Sequence, residues 1–503
     1  MTQISRRSLL FNGGKALLAA GTLGAAGPLI AACGSDDDST SGSVNLKYQY
    51  FAYVDAPDVP AVQQAMNDYL KKLGKSFTVT LQPTMDYDQK MTLNMSAGDV
   101  GDLFFTATWS NDFFKNAGSG NLLDITKLLP RHAPKLYASL PASIWAGAKV
   151  KGKLYGVINQ QRFPKLWGYI ARKDLADKYG LDPAAITTYA DLEPFLAKVK
   201  SGEKGVIPWG TDAGTGGTAF YPELHGYDPV ATAYGLAIRY DDPQRKIINV
   251  YETPEFKAAA QLLHRWRQLG YTTTDPLSGE DRATKQHSGG IALWPNQAPP
   301  TNPQLETFAT VSKSLVPKPI LNTDGCASTL TGVSADTKHA AEALEFLELL
   351  NTDKYLYNLL CFGIEGKDYV LDKATGVASL PTGVDPAKSP YNPNSDWQFG
   401  NQFNAYYRTK EDAASKRWEV ESALNSSAVV STALGFSLDT SPLRTQVSTV
   451  AATIKQYQQQ ISIGLVDPDK GIPEFLDKLS KSGMPTLLSK AQEQMDAFGA
   501  SAK

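Results

Sequence analysis

Apolar and polar residues alternate along residues 44–53 (VNLKYQYFAY), the mark of a half-buried strand. Val59, Val62, Met66, Tyr69 and Leu73 then recur at helical spacing within residues 57–73. Phe77, Val79 and Leu81 alternate again, residues 86–97 are predicted helical, and residues 102–106 (DLFFT) are a short apolar strand. Strand, helix, strand, helix, strand predicts a parallel sheet with helices on its faces. Ligands of such sheets bind beyond the carboxyl ends of the strands. Those ends fall here near residues 53–55, 84–87 and 106–109.

The same reading continues along the chain. Residues 148–157 (AKVKGKLYGV) predict a hairpin turning at Gly152. The polar run 159–164 (NQQRFP) precedes a strand over 166–171 and reads as a crossing between domains. A helix is predicted over 189–200, a strand over 206–210 (VIPWG) and a Gly/Thr loop over 212–217. Phe256, Ala260, Leu263 and Trp266 share one face of a helix over 255–269, and 289–294 is an apolar strand ending in Trp294. Strands over 311–321 and 327–333 are expected to return to the first sheet. One long helix is expected over 338–360, with Ala340, Ala343, Leu347 and Leu350 on one face. The tail alternates Pro/Asn/Gly loops (388–400) with helices near 446–460 and 472–480.

The first 43 residues do not fit this pattern. Ser5-Arg6-Arg7 opens a basic start, and 16–30 is an apolar run broken by Gly21, Gly24, Gly27 and Pro28, too short and broken for a comfortable transmembrane helix. It ends in Leu29-Ile30-Ala31-Ala32-Cys33, which resembles a bacterial lipobox. That resemblance implies diacylglycerol on the Cys33 sulfur and cleavage before it, which assigns 1–32 to a signal peptide. The Arg-Arg pair resembles a twin-arginine signal, which implies export after folding. Residues 34–43 are then a polar tether of roughly 17 Å r.m.s. span. The body of the protein is expected at the outer face of a cell membrane.

Composition bounds the rest. A chain of 503 residues is too long for one simple core, so two domains and an appended region are expected. Residues 1–32 hold three of the 49 basic residues and none of the 51 acidic ones, leaving 46 against 51, net −5. No basic patch argues for nucleic acid. Cys326 and Cys361 either pair or stay as two buried thiols. Catalytic signatures are scarce: no G-x-S-x-G elbow, no P-loop, and five scattered histidines without metal spacing. Residues 467–471 (DPDKG) read as a helix entry rather than a calcium loop. A carboxylate pair across a cleft leaves no local motif, so a carbohydrate-acting enzyme stays open beside a binder and a sensory lipoprotein.

Several segments resemble the extracellular solute-binding lipoproteins of ABC importers, in the maltose and multiple-sugar group. They are GDLFF (101–105) followed by Trp109, KLYGV (153–157), ALW (292–294), and TGVSA (331–335) followed by AEALEFL (341–347). FGIEGKDYVL (362–371), FGNQF (399–403), GFSLD (435–439), VDP (466–468) and FLDKL (475–479) resemble one subgroup with an uncharacterised C-terminal extension. The resemblance implies an α/β, two-lobed periplasmic-binding-protein-like (type II) fold with hinge crossings and an α-rich extension. It places 44–160 and 311–332 in lobe 1, 161–310 and 333–362 in lobe 2, and 363–503 packed on lobe 2. A monomeric binder is expected, with no cofactor and no metal site assigned. That binder captures a small solute, an oligosaccharide by the subgroup's presumption, and hands it to a membrane permease.

A sugar offers apolar C–H faces and hydroxyl edges, so flat aromatics and amides or carboxylates are wanted. Tyr53, Asp86, Thr108 and Trp109 are candidates from lobe 1, and Asn159, Gln160 and Gln161 from the crossing. Trp167, Trp209, Trp294 and Asn296 are candidates from lobe 2, and Glu365, Trp397 and Arg408 from the extension. Asp86 is equally a helix-cap candidate, Glu365 a turn candidate, and a strand Trp a core candidate. Trp294→Ala is expected to weaken binding tenfold or more with the fold intact.

Overall fold

The computed structural model describes residues 44–52, 55–211, 219–274, 277–299, 308–393 and 396–501. The tether, Cys33, Tyr53 and the loop 212–217 lie outside the described residues.

The alternating strands assemble as the pattern predicts. Val44–Phe51 pairs in parallel with Phe77–Thr84 on one side and Leu103–Thr106 on the other, placing Tyr48 opposite Leu81 and Leu103. Helices Val59–Lys72 and Tyr87–Ala97 bridge these strands. Leu330–Val333 and Gly156–Ile158 complete this sheet in antiparallel pairing. The hairpin is real but shorter, Lys149–Val150 against Lys153–Leu154. A second sheet has the order Thr310–Ser314, Trp167–Arg172, Ile291–Gln297, Ile207–Trp209. Each sheet anchors its own hydrophobic core, the two-layer logic of a two-lobed protein.

Three expectations are corrected. Residues 311–321 do not return whole to the first sheet. Thr310–Ser314 pairs with Trp167–Arg172 in the second. Gly168 permits the close approach, because a Cβ there would lie 1.9 Å from the Lys313 carbonyl oxygen. The long helix is two helices, Ala340–Thr352 and Lys354–Phe362. Asp353 separates them: its backbone is extended and its Oδ1 accepts from the Leu356 amide at 2.9 Å. A side-chain cap of this kind starts a new helix. Both helices belong to the first core, not to lobe 2, with Phe346 edge-on to Tyr48 and Phe77.

The extension also divides. Tyr369 to Trp418 pack in the first core, whereas Ala433 to Met495 pack in the second. Between them Val429–Val430 pairs in parallel with Ile320–Leu321. The chain therefore passes between the cores a third time. Helices Arg444–Ser462, Pro468–Lys481 and Met484–Ser501 form the tail, and Asp467 caps the second by accepting from the Asp469 amide. Cys326 and Cys361 are buried free thiols. Among the described residues no helix is long and apolar enough to cross a membrane.

Candidate functional site

The carboxyl ends of the first-lobe strands carry a wall of aromatic rings. Phe51 ends one strand, Phe105 lies in the next, and Tyr87 opens the helix between. Trp109 follows the strand end, and Trp397 arrives from the extension on the turn Asp396–Gln398. Trp109 lies 6.1 Å from Phe51, 5.8 Å from Phe105 and 5.8 Å from Trp397, centroid to centroid. These separations are those of favourable edge and tilted pairs. Tyr87 and Phe105 are buried behind, Trp397 is 9% exposed, and Trp109 is 50% exposed. The wall thus offers one open indole on a rigid apolar backing.

Local hydrogen bonds fix that indole. Trp109 Nε1 donates to the Ser328 carbonyl at 2.8 Å. Asp88 accepts from the Asn111 amide (2.6 Å) and the Ser110 hydroxyl (2.8 Å), bracing the turn after Trp109. Asn111 has a left-handed backbone (φ 46°), a conformation Asn tolerates, and donates to the Phe105 carbonyl. On the other flank Gln398 clamps Phe51, accepting from its amide (3.2 Å) and donating to its carbonyl (2.7 Å). Asp88 and Gln398 were absent from the sequence candidates. Each acts across a long stretch of chain, so no local spacing marks them.

The remaining candidates separate by burial. Arg408 lies beneath the wall. It pairs at 3.1 Å with fully buried Asp396 and sits 4.4 Å over Phe362, holding the turn that carries Trp397. Asn159 donates to the Gln398 carbonyl at 2.6 Å and accepts from Thr331. Gln160 donates to Ser139 and Asn351, and its backbone pairs with Gly400 and Gln402. Both are buried supports of the crossing, not open ligand groups. Thr108 lies beside the platform with a buried Oγ1 that has no partner. Asp86 is exposed, sits in the left-handed region (φ 52°), and makes no side-chain cap bond to the helix it precedes.

In the second lobe Trp167 is half-buried and stacks on Tyr221 at 4.0 Å. Trp209 is 0% exposed, packed against Trp266 and Tyr189, and Trp294 is 1% exposed beside Ile170 and Ile291. Both belong to the interior: the helix that carries Trp266 covers Trp209, and Ile170 and Ile291 enclose Trp294. Asn296 is exposed and its Oδ1 accepts from the Gln297 amide. Glu365 is exposed on a separate recess of about 400 Å³ with Lys354, Lys373, Tyr406 and Tyr407, which no wall residue lines.

Beside the platform the crossings meet in a small polar cavity of about 40 Å³. Gln161, Arg162 and Lys165 line it from the first crossing, Gln297 from the second lobe, and Ser328 from the return. Gln402, Arg417 and Glu421 come from the extension. Gln161 donates to Thr329 and Lys165 pairs with Asp324. Behind lies a buried acidic group. Burial pushes Glu223 up to about 7 and Asp228 up to about 6, with Asp324 raising and Lys165 lowering both. Asn322 and Ser431 donate to Asp228. Through these bonds and the Lys165–Asp324 pair, the group ties the crossings together.

Comparison with known proteins agrees with this architecture. Residues 64–360 match the model of the bacterial extracellular solute-binding proteins, and residues 432–500 match a domain of unknown function, DUF3502. A carbohydrate ABC transporter substrate-binding protein of Streptococcus pneumoniae is 28% identical over 435 residues, 85% of each chain. The lipoprotein LipO of Bacillus subtilis is 22% identical, covering 68% of this chain and 72% of LipO. Among solved structures, the N-glycan transport solute binding protein NgtS of S. pneumoniae superposes with a TM-score of 0.77 at 25% identity, covering 92% of this chain and all of NgtS. Residues 361–431, which bring Trp397 to the wall and Gln402 to the cavity, fall between the two matched models. The solute-binding match spans more than half of the chain, and the chain belongs to the bacterial extracellular solute-binding protein family.

Proposed function

We propose that this protein is the lipid-anchored, monomeric solute-binding component of an ABC importer and that its solute is an oligosaccharide. The observation that carries this reading is the half-exposed Trp109 indole on a buried aromatic backing at the strand ends. A pyranose ring stacks its C–H face on such a surface, and the rigid backing means little ordering cost on binding. The carbohydrate substrate-binding relative and the likeness to NgtS support the same class. Trp167 stacked on Tyr221 is the second-lobe surface for the opposite sugar face, brought to bear as the lobes close. Cys33 carries the lipid after twin-arginine export, and the LipO likeness supports an anchor at the outer membrane face.

A thermal-shift screen of the chain from residue 34 onward tests this. The panel holds N-glycan-derived oligosaccharides, other oligosaccharides, peptides and polyols. A solute at 100 times its Kd stabilises by about 2.7 kcal/mol. A shift confined to oligosaccharides is expected, with no new product after prolonged incubation. A shift with peptides alone would discard the sugar class, and released product would make the protein an enzyme.

A further inference from the structure

The cavity at the crossings holds buried hydrogen-bond donors that the protein itself does not pair. Its two guanidiniums, Arg162 and Arg417, share one carboxylate: both donate to Glu421 Oε1, at 3.1 and 3.0 Å. Asp412 reaches only Arg417, at 3.4 Å, and Arg162 otherwise meets the neutral Gln297 Oε1 at 3.3 Å. Lys165 is taken by Asp324. Two donors of the lining residues, Arg162 Nε and Gln402 Nε2, are buried with no acceptor at all. Buried donors left unpaired are costly and uncommon in native proteins. The space of about 40 Å³ admits a few atoms, enough for a carboxylate group. Ser328 lines the cavity and also holds the Trp109 indole through its carbonyl, so the cavity adjoins the sugar platform.

We infer that this cavity binds a carboxylate, carried either on an acidic sugar of the solute or by a small free anion. Arg162 Nε and Gln402 Nε2 donate to its oxygens, while Arg162 Nη1 stays on Glu421, Arg417 stays on Glu421 and Asp412, and Lys165 stays on Asp324. The acidic-sugar source rests on the oligosaccharide reading; the free-anion source does not.

The test uses the chain from residue 34 onward in its native form and as Gln402→Leu and Arg162→Lys. The first removes a side-chain donor that holds nothing else, and the second keeps the charge but deletes Nε. Circular dichroism in anion-poor buffer establishes that each variant folds. Two probes are titrated at constant ionic strength: sodium formate by melting temperature, and sialyl-N-acetyllactosamine against N-acetyllactosamine by calorimetry. A saturable formate shift in the native chain, reduced at least tenfold in apparent affinity in Gln402→Leu, identifies a free-anion site. A tenfold or greater preference for the sialylated sugar, lost in Gln402→Leu, identifies the acidic substituent. Formate without a saturable shift, together with no native preference for the acidic sugar, overturns the inference. Equal responses in native chain and variants overturn it too. Neutral oligosaccharides still lost in Trp109→Ala would leave the solute-binding reading standing in either case.

Discussion

The two lobes use the same residue for opposite ends. In the first lobe tryptophan lies just past a strand end, and half of Trp109 stays open to solvent. In the second lobe Trp209 and Trp294 lie within strands and are buried. Composition cannot separate these fates; what packs over each ring does. Trp209 lies under Trp266 and Tyr189 and Trp294 lies against Ile170 and Ile291, whereas the Trp109 ring past its strand end keeps half its surface open. The first lobe also borrows from the extension, since Trp397 completes its wall and Arg408 holds the turn beneath. The second lobe receives from that extension three helices and the turn that carries Ala433 and Phe436, as backing for its core.

The largest expected effect breaks the comparison on its buried side. Trp209→Ala should lower unfolding stability by about 3–5 kcal/mol, the cost of deleting a large core side chain. Urea titration reads it, and affinity of the remaining folded protein should be unchanged. Next, Trp109→Ala should reduce oligosaccharide affinity roughly thirtyfold, about 2 kcal/mol for the lost stacking surface. Its melting temperature should stay near the native value. Asp88→Ala should cost roughly fivefold in affinity, about 1 kcal/mol, because the turn after Trp109 loses two hydrogen bonds. A loss confined to stability would remove Asp88 from the platform.

The smallest effect concerns the acids behind the cavity. Glu223 and Asp228 hold their protons more tightly folded than unfolded, with values raised from 4.5 and 3.8 to about 7 and about 6. Their neutral forms favour the fold fully below the unfolded values. That contribution is lost as pH rises through about 6 to 7. Native stability should therefore fall between pH 5.5 and pH 8. Glu223→Gln should gain on the native chain over that interval by on the order of 1 kcal/mol. Denaturant midpoints at the two pH values measure this, and an unchanged gap would show that Glu223 stays charged throughout.

Much of the fold was legible because each lobe opens with strong local periodicity. Residues 44–106 read as strand and helix in alternation and assemble so. What failed was long-range placement. Thr310–Ser314 carries no mark of which sheet it joins, and the helix pair 340–362 no mark of which lobe it covers. The aromatic wall was legible where a ring follows a strand end, at Trp109, and where a Pro/Asn-rich loop carries one, at Trp397. Asp88, Gln398, Arg162 and Gln402 were not legible, because their roles arise from segments far apart in sequence. Asn159, Gln160 and Arg408 were noticed for their polarity, and the structure turns that polarity inward.

The most direct test of the platform is calorimetric titration of one oligosaccharide from the screen into the native chain, Trp109→Ala and Trp294→Ala. The expected result is a loss of at least tenfold in Trp109→Ala and native affinity in the folded fraction of Trp294→Ala. Native affinity in Trp109→Ala, with binding lost in folded Trp294→Ala, would contradict it and move the sugar to the second lobe.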